Sequence, residues 1–391
     1  MFQRASRMNL PPYPFAELAR LKKEALANGA DLVDLGIGDP DLATPDFILD
    51  ALAKYSRDPF THHYDEPGNG LPEFRQAVAE WYEQRFGVKV DADANVLALI
   101  GSKEGIAHLP WVYIESGDVT LVPDPGYPVY RSSTTFAGGE FYPMGLRREA
   151  DFLPDYSEIP ADIADKARLM WLNYPNNPTG ALADADFYQE TADFASENNI
   201  IVGCDMAYSE LAYDGEKPVS FLQAQGGLEY GIEFHSFSKT FSMTGWRIGF
   251  AVGNEELIAG LTKLKSNIDS GLFRAIQLAC LDGLKDDHGY IQQMIARYQK
   301  RRDILCSGLK EAGFDVFVPK GAFYVWMAIP EGYTSADFAG RMLRECGILC
   351  TPGSAYGKFG EGYIRMALTL EAEDPEGRLR EAVARVKRVF G

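Results

Sequence analysis

In Ser236-Phe237-Ser238-Lys239-Thr240-Phe241-Ser242-Met243-Thr244-Gly245-Trp246-Arg247, two serines stand just before a lysine, with an arginine eight residues on, all between two strand-like segments, Glu233–His235 and Ile248–Val252. Outward from this stretch, Val96–Ile100, Val119–Val122, Leu169–Leu172 and Ile200–Cys204 also read as buried strands, separated by longer amphipathic stretches. The rhythm predicts an α/β fold of parallel strands with helical crossovers covering both faces.

After about residue 270 the texture changes. A long helical stretch precedes Phe314–Val318, Phe323–Ile329 and Tyr363–Leu370, which read as strands with helices between and after them. The chain is therefore divided into an N-terminal arm at 1–40, a large domain at 41–270 and a smaller α+β domain at 271–391, with the arm expected beside the small domain. In the arm, Phe15, Leu18, Ala19, Ala25 and Leu26 fall on one helical face, and Gly29 suits the stop.

The 391 residues carry 38 basic and 56 acidic side chains, a net charge of −18, with 46% hydrophobic and 24% charged residues. Such a chain can build a sizeable core and lacks the positive field that nucleic acid attracts. No apolar run of spanning length and no signal-type N-terminus occurs, so a cytoplasmic protein without a membrane partner is expected. The five cysteines (Cys204, Cys280, Cys306, Cys346, Cys350) are odd in number and scattered, which predicts reduced core thiols. No metal is expected: Cys346 and Cys350 lack a nearby histidine, and His62, His63, His108, His235 and His288 show no ligand spacing.

In an open α/β sheet, ligands bind beyond the carboxyl ends of the strands. After Val96–Ile100 comes Gly101-Ser102-Lys103-Glu104, a turn into a helix whose free N–H groups suit a phosphate, or in which Ser102 simply caps the helix. After Ile200–Cys204 come Asp205 and Tyr208; the acid could equally cap the next helix. Lys239 stands among Phe237, Phe241, Met243 and Trp246, and burial with cationic neighbours lowers a lysine's pKa and opens Schiff-base chemistry. The flanking serines and Arg247 are what a phosphate-bearing aldehyde cofactor needs beside its imine.

The run Ser236–Arg247 resembles the cofactor-lysine segment of class I/II aminotransferases, the pyridoxal-phosphate enzymes of fold type I, and Asn173–Gly180 resembles that family's Asn-Pro-Thr-Gly turn. The likeness extends through Gly36-Ile37-Gly38, Tyr64, Gly101–Glu104, Pro125-Gly126-Tyr127, Asp205, Tyr208 and Arg365, nearly the whole chain. It implies a mostly parallel, seven-stranded type of sheet in the large domain and pyridoxal 5′-phosphate as cofactor. By that resemblance Lys239 holds the cofactor as an internal aldimine and then shuttles the proton, the reaction passing through quinonoid and ketimine, while Asp205 pairs with the pyridine nitrogen. Tyr208 and Asn177 bond the phenolic oxygen and Tyr127 stacks on the ring. Ser102, the backbone N–H of Lys103, Ser236, Ser238 and Arg247 take the phosphate. Tyr64 reaches the phosphate of the neighbouring subunit's cofactor, which implies a homodimer with shared sites. Arg365 grips the substrate α-carboxylate, assisted by Gly38 and Asn177.

Within the family, Leu10–Phe15, Asp34–Leu42, Gly101–Leu109, Pro123–Tyr130 and Glu233–Asn254 look most like LL-diaminopimelate aminotransferases. That likeness implies amino transfer between LL-2,6-diaminopimelate and 2-oxoglutarate in lysine biosynthesis, with Tyr13 closing over the substrate. The sequence departs where members often carry a glutamate after the Tyr64 position to meet the distal ammonium. Here Asp65-Glu66-Pro67-Gly68-Asn69-Gly70 is shifted in spacing, so Asp65 or Glu66 stands in, with Ser266–Gly271 and Arg274 as further candidates for distal contacts from the partner subunit, or simply a domain junction and a solvated arginine. A broader alanine, glutamate or aspartate aminotransferase and a carbon–sulfur lyase are the rival readings, because fold does not fix reaction. A cofactor-sensing DNA-binding regulator would need an appended domain. A nicotinamide dehydrogenase would need a third glycine where Gly36-Ile37-Gly38 runs into Asp39-Pro40-Asp41.

Overall fold

The computed structural model describes residues 2–10, 14–65 and 67–391, with backbone alone at Pro14 and Phe15. A short strand, β1 (Val33–Asp34), precedes the main sheet. That sheet takes β2 (Val96–Leu99), β3 (Val119–Asp124), β4 (Glu140–Gly145), β5 (Ala167–Leu172), β6 (Ile201–Asp205), β7 (Gly231–Ser236) and β8 (Gly249–Gly253). Their spatial order is β2-β8-β7-β6-β5-β3-β4. From β7 through β4 the neighbours are parallel, but β8 runs antiparallel to both β2 and β7. The parallel rhythm breaks there because the β7–β8 connection holds only two short helical turns, Phe237–Thr240 and Thr244–Trp246, and no crossover helix.

Alternation along buried strands explains their near-continuous apolar runs. Leu97, Leu99, Leu169, Trp171, Ile232 and Phe234 pack with the helices Ser102–Tyr113 and Glu255–Lys265. Val96, Ala98, Met170, Leu172, Val202 and Cys204 belong to the opposite core with helix Pro72–Phe86. β4 has no such run to announce it: it is an edge strand with Glu140 and Phe141 exposed, and its Pro143 is tolerated where a missing N–H faces no neighbour.

The second sheet uses β9 (Val316–Phe317), β10 (Tyr324–Ala328), β12 (Thr351–Pro352) and β13 (Tyr363–Ala367), while β11 (Ile348–Leu349) pairs in parallel with β1. In the antiparallel order β12-β13-β10-β9, Trp326 lies opposite Arg365. These strands are shorter than the apolar runs at 314–318, 323–329 and 363–370; the Phe314 N–H, for one, donates to Leu309 O at the end of helix Tyr290–Glu311. Leu272, Ala279, Cys280 and Leu284 pack in the large core, and Met294, Tyr298 and Leu305 in the small one. The change of core thus falls inside helix Tyr290–Glu311, past residue 270 where the sequence texture changes.

The opening helix Pro14–Ala27 stops where Gly29 adopts φ 74° and the Ala30 N–H closes on Ala25 O. Leu18 is buried, but Ala19 and Leu26 of the expected apolar face are exposed, because the chain covers only one edge of this helix. All five cysteines are buried and free of disulfides. Among the described residues, no helix is long and apolar enough to cross a membrane.

Candidate active site

The carboxyl ends of β2, β3, β5, β6 and β7 meet at one edge of the sheet, and antiparallel β8 begins there, so Arg247 just before it arrives at the same place. A cavity of about 370 Å³ opens at this edge. It brings together Gly38, Ser102, Lys103, Tyr127, Asn177, Asp205, Tyr208, Ser236, Ser238, Lys239, Arg247 and Arg365 from the predicted site residues, and adds Asn173, Thr244 and Tyr324. Tyr64 lies outside it, 70% exposed. Tyr13 falls outside the described residues.

β7 ends at Ser236, whose hydroxyl accepts the Ser238 N–H at 3.2 Å and starts the single turn Phe237–Thr240. That turn buries Phe237 and sends Lys239 into the cavity, where Nζ donates to Gly38 O at 3.1 Å and lies 5.6 Å from the Phe323 ring centre. Burial lowers the Lys239 pKa to about 8; Arg365 and Arg247 act in the same direction, against Asp39 and Asp205. Roughly a tenth of the amine is then neutral near pH 7, enough to act as a nucleophile.

At the end of β6, Asp205 Oδ2 accepts the Tyr130 hydroxyl at 2.8 Å and Oδ1 accepts the Ala207 N–H at 3.3 Å, so the capping alternative survives only as this turn bond. Burial raises the Asp205 pKa to about 6, opposed by the bonds from Tyr130 and Ala207 and by the charges of His235 and Lys239. Tyr130, stacked on Trp171 at 5.2 Å and 14°, had no predicted role. Its position three residues after Tyr127, where β3 runs into helix Val129–Ala137, was the available signal.

Helix Ser102–Tyr113 carries Gly101 at its N-cap, with φ 78° and no side-chain cap, which sets aside Ser102 as the cap. A Cβ on Gly101 would collide with the Arg247 guanidinium, and one on Gly249 would come within 2.8 Å of the Ser102 nitrogen. Glycine at both positions therefore keeps amides and guanidinium close together. Arg247 itself sits at φ 57° and donates to Thr244 O at 2.8 Å, a strained backbone held at the site. With Ser236 and Ser238, this corner is a cradle for an anion.

On the other side, Asn173 Oδ1 accepts the Asn177 N–H at 2.8 Å and its Nδ2 donates to Asp205 O at 2.7 Å. Arg365 donates to Asn177 Oδ1 at 3.0 Å and to Gly36 O at 2.7 Å. The pairing of β1 with β11 carries Gly36 to this point. The guanidinium lies 4.0 Å from the Tyr324 ring centre, and the Tyr324 hydroxyl is 2.9 Å from that of Tyr208.

The distal candidates lie apart. Asp65 is buried and accepts Gln277 Nε2 at 2.9 Å, and Glu66 falls outside the described residues. Gly271 packs on Asp65 so closely that a Cβ would lie 2.7 Å from the aspartate Cβ. Arg274 donates to Tyr64 O and Phe60 O and covers the Phe60 ring at 4.6 Å, so it fastens this segment. Among the described residues, Asp205 is the cavity's only carboxylate.

A poised amine, a deep carboxylate whose hydrogen bonds come from a phenol and an amide, and an anion cradle fit pyridoxal 5′-phosphate. A family profile described as "Aminotransferase class I and II" matches residues 30–386. An LL-diaminopimelate aminotransferase of Syntrophobacter fumaroxidans is 52% identical over 389 residues, covering 99% of each chain. One from Aquifex aeolicus is 48% identical over 388 residues, again 99% of each. The apo structure of BacF from Bacillus subtilis superposes with a TM-score of 0.94 at 38% identity, covering 100% of this chain and 99% of that one.

Proposed function

The chain belongs to the class I and II aminotransferases and is a transaminase, and from that premise we propose that it is a pyridoxal-phosphate-dependent LL-diaminopimelate:2-oxoglutarate aminotransferase. The substrate assignment is carried by identity near one half, over almost the whole chain, to relatives named for that amino acid.

When bound, the cofactor supplies an aldehyde for the substrate amine and a ring that accepts electrons from the α-carbon. Lys239 would hold it, Asp205 would keep a proton on its ring nitrogen, and Tyr208, Asn177 and Tyr127 would bind the rest of its ring. Ser102, the Lys103 N–H, Ser236, Ser238 and Arg247 would bind its phosphate. Arg365, already over the Tyr324 ring and braced by Asn177, would receive the substrate α-carboxylate beside Gly38. Lys239 Nζ would be the group that moves the proton of the substrate α-carbon, a task suited to an amine whose pKa is brought down to about 8.

A distal ammonium needs a buried acceptor, and no second carboxylate lines the cavity among the described residues, so the acceptor comes from the 64–70 segment or a partner subunit. With 2-oxoglutarate as acceptor, LL-diaminopimelate should give a kcat/KM roughly tenfold or more above alanine and aspartate, the worth of one charged hydrogen bond. Turnover of alanine or aspartate with none of LL-diaminopimelate rejects the assignment.

We also read the enzyme as a cytoplasmic homodimer with Tyr64 completing the neighbour's phosphate site. Support comes from Phe60, Tyr64 and Phe273, exposed hydrophobics gathered about Arg274, a patch suited to a second copy. Mixing Lys239→Ala with Tyr64→Phe subunits should restore roughly a quarter of wild-type activity, because a statistical mixture is half hybrids with one intact site each. No recovery despite demonstrated hybrids counts against shared sites.

A further inference from the structure

Tyr324 has no part in the roles assigned above, yet it touches three of the groups that have one. Its ring underlies the Arg365 guanidinium, its hydroxyl is 2.9 Å from the Tyr208 hydroxyl, and a Cβ at residue 38 would collide with that same hydroxyl. The ring is held edge-on to Tyr208 at 5.8 Å and 81° and to Phe323 at 5.0 Å and 65°. It stands on β10, diagonal to Arg365 on β13, whereas Tyr208 follows β6 of the main sheet.

We propose that Tyr324 is a positioning residue that links the carboxylate grip of Arg365 to Tyr208 and fixes which way the Tyr208 proton points. A phenol has one proton and two lone pairs, so only one of the two hydroxyls can donate across the 2.9 Å contact. If Tyr208 donated, its proton would be turned away from the cavity; if Tyr324 donates, Tyr208 remains free to donate inward. The guanidinium decides. Burial raises the pKa of both phenols, but Arg365 acts at contact on Tyr324, which leaves it the more acidic partner and the donor. Donation into the Tyr208 oxygen also strengthens the outward donation of Tyr208.

The inference rests on the proposed cofactor chemistry, in which Tyr208 donates to the cofactor's phenolic oxygen. That donation draws density from the oxygen and makes the neighbouring lysine-linked nitrogen less basic. Tyr324→Phe keeps the ring on Arg365 and removes the hydroxyl with its bonds to Tyr208 and Arg365, leaving Asp39, Asp205, Arg247 and Arg365 around Lys239 in place. In the holoenzyme, the pH midpoint of the bound cofactor's absorbance change should rise by about half a pH unit, a share of one neutral hydrogen bond, with KM for the amino donor changed less than about twofold. Tyr324→Leu, which loses the stack as well, should raise KM about tenfold. In a Tyr208→Phe background, the midpoint change on adding Tyr324→Phe should vanish, since the coupling runs through the Tyr208 hydroxyl.

An unchanged midpoint in Tyr324→Phe, or the same change in both backgrounds, overturns the proposal. A wild type that takes up no pyridoxal 5′-phosphate and shows no titrating band overturns the function reading, and the coupling with it.

Discussion

Lys239→Ala is expected to lower kcat for amino transfer by about 10⁴-fold or more, because one substitution removes both the amine that anchors the cofactor and the base that moves the α-proton. General acid–base transfer alone contributes about 10²–10⁴-fold, and among the described residues Lys239 is the buried amine of the cavity, its other lysine, Lys103, being exposed. Tyr208, a phenol of the same cavity, has its pKa pushed well above the ordinary value by burial and is too weak an acid to deliver protons at neutral pH. Single-turnover absorbance should show a bound cofactor that forms product only on the scale of hours, with partial recovery when methylamine is added. Borohydride reduction of the wild type should attach the cofactor to Lys239; a label on any other lysine would displace the assignment. The same residue leaves a mark on the apoprotein. Its folded pKa of about 8 lies below the ordinary 10.5, so its charged form is penalised in the fold, and stability should rise with pH between those values. In the alanine variant that rise should be missing, which separates the altered site from general misfolding.

What could be read from the sequence follows a physical divide. Strands buried on both faces were legible at β3 and β5 to β8, since a central strand must be apolar on both sides to lie between two helix layers, and at β2, an edge strand whose four residues are all buried. β4 was not legible, because an edge strand with an exposed Phe141 and an internal Pro143 need not look like one. Site residues at strand ends, Asp205 closing β6 and Lys239 after β7, were accessible because chain order and spatial order agree there. Tyr324 depends on the register of β10 against β13, and Tyr130 on a helix leaning over the next strand, neither of which any local pattern encodes. Asp65 shows the converse: a carboxylate in a plausible stretch is engaged by Gln277, more than two hundred residues away.

Asp205→Asn should lower kcat by roughly 10³-fold while making the apoprotein more stable near neutral pH, and the two effects have one electrostatic origin. In the apo site the carboxylate is buried with a phenol and an amide as hydrogen-bond donors, which holds its pKa at about 6 against the ordinary 3.8. A carboxyl whose folded pKa is raised binds its proton more tightly in the fold than in the unfolded chain. Stability therefore falls as pH rises from about 4 through about 6, by an amount of order 3 kcal/mol for this group. Asparagine has no charge to bury. It still accepts from Tyr130 but turns an N–H₂ toward one former acceptor position, so a net gain of about 1–2 kcal/mol above pH 7, absent below pH 4, is the reasonable magnitude. Cofactor binding inverts the order. A protonated ring nitrogen turns the buried carboxylate into half of an ion pair, and removing one partner of such a pair costs about 3–5 kcal/mol, the same size as a 10³-fold loss in rate where that charge draws electrons from the α-carbon. Thermal melts of apo and holo forms across pH 4–8, set beside kcat, test this directly. An asparagine variant less stable than wild type in both forms, or one that retains wild-type kcat, would remove Asp205 from its position opposite the ring nitrogen.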